Sequence, residues 1–61
     1  MATAVSKRLQ LRVLDTLRMA GQPLTTSEVA MLINRSFETT RHALTVIGAV
    51  PIADSYPTEW T

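Results

Sequence analysis

Arg41 and His42 stand among threonines in the stretch FETTRHALT, and their types give this segment most of the chemistry the chain has to offer. A guanidinium grips planar acceptors through two parallel hydrogen bonds, and a threonine hydroxyl both donates and accepts. Glu38, three residues before Arg41, is an acceptor or an ion-pair partner for it. Bond-making chemistry asks for more than this. The chain has one histidine and no cysteine, and its carboxylates Asp15, Glu28, Glu38, Asp54 and Glu59 are scattered. No glycine-rich phosphate loop and no metal-ligand spacing is visible. A lone histidine beside an arginine on an exposed helix does not make an acid–base pair. The pattern predicts a protein that is not an enzyme, with no cofactor, no metal and no small-molecule substrate.

The segment's length and surroundings set how it is held. Sixty-one residues allow one domain, 1–61. A chain of this size buries only about 60% of its unfolded surface and depends on efficient packing. The apolar content of 46% is that of a globular domain rather than a disordered tail. No apolar run approaches the roughly 18 residues that span a bilayer. Lys7, Arg8 and Arg12 interrupt the N-terminal apolar residues, which argues against a signal peptide. A cytoplasmic protein with no membrane partner is expected.

The periodicity predicts three helices. In the first, at about 3–20, Leu9, Val13, Leu14, Leu17 and Ala20 fall in one sector, and Leu11 and Met19 lie off it. Gly21 suits the left-handed residue past its end, and Pro23 forbids continuation. The second, at about 26–33, starts with Thr25 and Glu28 in a capping box and with Leu24 and Val29 as a hydrophobic staple. Val29, Leu32 and Ile33 are its buried side, and Asn34 its left-handed stop. Ser36 caps the third, at about 37–47, where Phe37, Thr40, Ala43, Leu44 and Ile47 form an inner face. The period then changes. Residues 49–61 read as a short ribbon, with an extended run at 49–53, a turn at 54–57 and a second run ending in Trp60. Pro51 limits the first run to an edge, and residues 22–25 are a possible third strand.

These residues together resemble a winged helix-turn-helix domain of the bacterial and phage transcription-regulator type. The resemblance rests on Pro23, Leu24 and Thr25, then Ser27, Glu28, Val29, Ala30, Leu32 and Ile33, and then Ser36, Thr39, Thr40, Ala43, Leu44 and Ile47. It implies a mainly α fold with a small β part: three helices and a short C-terminal β-hairpin wing. In such domains the third helix enters the major groove of double-stranded DNA. By that resemblance Glu38, Thr39, Arg41, His42 and Thr45 are the base-reading residues, with Arg41 suited to a guanine. Phosphate contacts fall to Arg35, to Thr26 and Ser27 at the start of the second helix, and to Lys7 and Arg8.

The charge distribution tempers this expectation. Residues 1–35 carry five cations against two anions, and residues 36–61 one against three, for a net charge of +1. The wing's only charges, Asp54 and Glu59, are acidic and unsuited to a phosphate. So weakly basic a chain is expected to bind DNA as a homodimer or with a partner protein. The competing expectation is a protein-interaction adaptor, such as a phage protein that binds a host polymerase or repressor. Leu11, Met19, Tyr56 and Trp60 favour it, although a tryptophan in so small a domain more often covers the core.

Overall fold

The computed structural model describes residues 5–61 of the chain. Its elements are α1 (Lys7–Ala20), β1 (Leu24–Thr25), α2 (Thr26–Ile33), α3 (Phe37–Val46) and β2 (Glu59–Trp60). The expected class, mainly α with a small β part, is the one observed.

Each helix begins and ends where a side chain or a permissive backbone meets its orphaned groups. Ser6 caps α1, its hydroxyl accepting the Leu9 N–H at 3.1 Å. The first helix therefore starts four residues later than expected, because Ser6 takes the capping role and Val5 is not helical. Residues 3 and 4 of that expectation lie outside the described residues. Gly21, at φ 65°, ends α1 in the left-handed region. The capping box of α2 is complete. The Glu28 N–H donates to Thr25 Oγ1 at 3.1 Å, and the Thr25 N–H donates to Glu28 Oε1 at 2.8 Å. Asn34 closes α2 at φ 57°, with its N–H shared between the Ala30 and Met31 carbonyls. Ser36 caps α3, which ends at Val46 with Ile47 as its C-cap.

The three helices pack against one another around Val13, Val29, Ile33, Ala43 and Leu44, all essentially inaccessible to solvent. Leu24 and Trp60 complete this core, so the staple of Leu24 on Val29 is part of it. Leu9, Leu17 and Ala20 pack against its edge from α1. Leu11 and Met19 face outward as their off-stripe positions imply.

Three apolar positions depart from the expected inner faces. Leu14, at the margin of the α1 stripe, is half-buried and stays outside the core cluster. Leu32 is 60% exposed, because Thr26, Val29, Ala30 and Ile33 take the inward sector of α2 and Leu32 points about a quarter-turn away. Phe37 is half exposed as well. Thr40, Ala43 and Leu44 fill the inward side of α3, and Phe37 lies at the margin of that stripe beside Arg41.

The small β part is held at Trp60. Strand β2 pairs antiparallel with β1 in the register Leu24 to Trp60 and Thr25 to Glu59, so residues 22–25 do supply a strand. On its other side Trp60 bridges Pro51, and Val50 and Thr61 exchange N–H···O bonds at 3.0 Å each. The Ile52 N–H donates to the Glu59 carbonyl at 2.8 Å, completing the hairpin. Pro51 lies between Val50 and Ile52, whose N–H groups make the bonds to Thr61 and Glu59, so its missing N–H falls on the outer edge of the hairpin, as an edge position allows. Val50 is exposed and Ile52 half-buried, so neither joins the core cluster.

The indole carries the closing contact. Trp60 Nε1–H donates to Thr26 Oγ1 at 2.8 Å in a buried setting, 34 residues apart in sequence. Trp60→Phe is expected to leave the buried Thr26 hydroxyl without this partner and to cost about 1–3 kcal/mol. That corresponds to a fall in Tm of roughly 4–8 °C per kcal/mol in a domain of this size. In urea or thermal unfolding, the Trp60→Phe, Thr26→Val pair should lose less than the sum of its single changes. Strict additivity would show that the hydrogen bond contributes nothing to stability.

Candidate functional site

The outer face of α3 is set by what its inner face buries. Thr40 is wholly buried yet polar, and its hydroxyl donates to the Ser36 carbonyl at 2.8 Å, which spares it an unmatched donor. With Thr40, Ala43 and Leu44 turned inward, Glu38, Arg41, His42 and Thr45 are exposed. Sequence reasoning had placed these four outside, and the structure brings them together on that face.

Their freedom to form new hydrogen bonds differs. The Thr45 hydroxyl donates to the Arg41 carbonyl at 3.1 Å, within its own helix. The Thr39 hydroxyl accepts from Ser36 Oγ at 2.9 Å, and Thr39 is only half exposed. Thr39 thus belongs as much to the cap as to the surface. Arg41 Nη2 lies 3.8 Å from Glu38 Oε2, with side chains 60% and 81% exposed. An exposed pair of this kind on a helix contributes about 0.2–0.5 kcal/mol and yields readily to a better partner.

The phosphate candidates separate into two places. Ser27, exposed at the start of α2, lines a groove of about 670 Å³ together with Arg41, Phe37 and the hairpin residues Pro51, Tyr56 and Pro57. Arg35, in the three-residue turn between α2 and α3, lines a different groove along α1 with Arg8. Arg12 and Arg18, which sequence reasoning had left unassigned, line that second groove, with Asp15 as its acidic member. Their spacing of three to four residues from Arg8 and Asp15 was the available signal. Lys7 is exposed in the first turn of α1 but does not line it.

Thr26 leaves the set of phosphate candidates. It is 5% exposed, and its hydroxyl oxygen accepts the Trp60 indole N–H. Its position as first residue of α2 suggested an accessible helix terminus, but the hairpin packs over it. Trp60 is likewise a core residue at 8% exposure and is withdrawn as a surface anchor, whereas Tyr56 is 99% exposed.

Among the described residues, no group of three or more His, Cys, Asp or Glu is placed to hold a metal ion. No described helix is long and apolar enough to cross a membrane. Comparison of the chain with protein-family models, with curated proteins and with solved structures finds no match.

The cap is what orients this site. Ser36 Oγ accepts the Thr39 N–H at 3.2 Å, and the Ser36 carbonyl accepts both the N–H and the hydroxyl of Thr40. Ser36→Ala should destabilise the domain by about 0.5–2 kcal/mol. It should also raise amide hydrogen exchange in the first turn of α3 above the rest of the helix. Uniform exchange along α3 in the variant would show that the cap does not anchor that turn.

Proposed function

We propose that the protein is a small transcription regulator of the winged helix-turn-helix type that binds double-stranded DNA with α3 in the major groove. One observation carries this reading. The second helix of a tightly joined pair presents Glu38, Arg41, His42 and Thr45 outward while its opposite side is locked into the core. A helix fits the major groove, and in helix-turn-helix proteins the N-terminal part of the second helix of the motif meets base edges there. The element order adds support, since a hairpin follows α3 and packs beside the start of α2. A regulator of this kind works in the cytoplasm, where the DNA is.

Arg41 takes the guanine-reading role, with His42, Glu38 and Thr45 beside it and Thr39 at the edge. Arg35, Arg8, Lys7 and Ser27 take phosphates. With a net charge of +1, one copy neutralises few phosphates, so affinity comes from a homodimer on a two-fold site or from a partner protein.

The adaptor reading keeps one specific observation in its favour. Met19 and Met31 are each 82% exposed and Tyr56 99%, large side chains of the kind that anchor protein interfaces. In that reading the apolar surface meets a host polymerase or repressor, and α3 is a solvated face.

A mobility-shift assay on DNA upstream of the gene separates the two. Arg41→Ala should weaken specific binding by about 1–3 kcal/mol, or roughly 5- to 150-fold. Arg35→Ala should weaken binding to all sequences alike and reduce the slope of log K against log salt by about 1. Glu38→Gln, which removes the ion-pair partner and an anion, should tighten binding to random DNA. If the wild type fails to bind, or neither arginine variant weakens it, the adaptor reading takes its place. A single copy bound with nanomolar affinity at physiological salt would refute the dimer.

A further inference from the structure

Phe37 is the residue that the proposed function does not yet use. It is the first residue of α3, 49% exposed, and it lines the groove that also holds Arg41, Ser27 and Tyr56. The inward side of α3 is filled without it, by Thr40, Ala43 and Leu44. Phe37 and Arg41 are four positions apart, so the two side chains stand one above the other on one helix face.

We infer that Phe37 reads the C5-methyl group of a pyrimidine lying beside the guanine that Arg41 grips. The inference rests on the DNA reading above and adds a specificity determinant to it. A phenyl ring has no hydrogen bond to give, so its partner in the major groove must be apolar. The C5-methyl group of thymine is the apolar group that the base edges display there. A methylated cytosine carries the same group at the same position.

The spacing fits this assignment. Residues four apart on a helix are separated by about 6 Å along its axis. Successive base pairs rise by about 3.4 Å. The methyl group read by Phe37 therefore belongs one or two steps from the guanine read by Arg41. The N-terminal placement fits as well, since that end of such a helix approaches the bases most closely.

The test begins with selection of duplexes bound by the full chain from a random-sequence pool, followed by synthetic variants of the enriched site. The enriched site should contain a thymine within two steps of a guanine. Replacing that thymine by deoxyuracil removes the methyl alone and should weaken wild-type binding about fourfold, the effect of exposing one methyl-sized group. Phe37→Ala should bind the two duplexes equally and keep its preference for the guanine. Cytosine and 5-methylcytosine at the same position distinguish the sources. Rescue by 5-methylcytosine shows that any C5-methyl is read, and preference for thymine alone shows that its O4 is read too. The deoxyuracil comparison uses only the wild-type chain, so it stands even if Phe37→Ala fails to fold. Equal wild-type affinity for thymine and deoxyuracil overturns the inference while leaving the DNA reading intact. A pool from which no duplex is enriched overturns the DNA reading and the inference with it.

Discussion

The hydrogen bond from the Trp60 indole to Thr26 joins the last strand of the chain to the first turn of α2, and the placement of the hairpin depends on it. Strands of two residues have almost no stability of their own in water. Trp60 gives them an anchor by pairing with Leu24 on one side and Pro51 on the other, while its ring lies in the core. A phenylalanine supplies most of the same apolar area but leaves the Thr26 hydroxyl unmatched. The polar tip of the ring is what selects one position for the hairpin, and a groove against α3 follows from that position.

The same economy governs α3. A wholly buried threonine in its middle is tolerable because the helix offers Thr40 a carbonyl four residues back. Ser36 and Thr39 satisfy each other at the start of the helix, and Thr45 is satisfied by Arg41. Self-sufficient hydroxyls leave the charged and aromatic side chains as the ones with unspent capacity. Arg41 has a partner in Glu38, but an exposed pair at 3.8 Å is too weak to hold a guanidinium against a bidentate acceptor. The ion pair restrains Arg41 in the free protein without committing it.

Local signals were legible in the sequence and long-range ones were not. Thr25 and Glu28, Ser36, Gly21 and Asn34 act within one helical turn of themselves, and each was found where its side chain or backbone preference put it. The staple of Leu24 on Val29 belongs to the same class. Thr26 was misread because the residue that occupies it lies 34 positions away. Leu32 and Phe37 were misread because a three- and four-residue spacing marks a broad sector, and a small core fills only its centre. Ser6 was passed over because α1's apolar stripe gives no sign of where its first turn begins. Of the candidate site, the outer face of α3 was visible in advance. The division of the cations between two grooves was not, since it depends on how α1 meets the turn at Arg35.

Charge and shape together constrain how such a surface can discriminate. Sequence-independent attraction to DNA scales with the number of phosphates neutralised, and a chain of net charge +1 has little of it. The arginines lining the α1 groove are partly offset by Asp15, and Arg41 by Glu38. Weak general attraction lowers the background against which a specific contact is measured, so a few good contacts can separate right from wrong sites. On the DNA reading, Glu38 would act in the direction of selectivity: it repels phosphates indiscriminately, and a bidentate acceptor displaces it from Arg41 more readily than a single oxygen does. On the DNA reading, the acidic residue in the middle of the recognition face limits affinity and sharpens choice at the same time. On that same reading, the affinity that one copy lacks would come from a second copy or a partner.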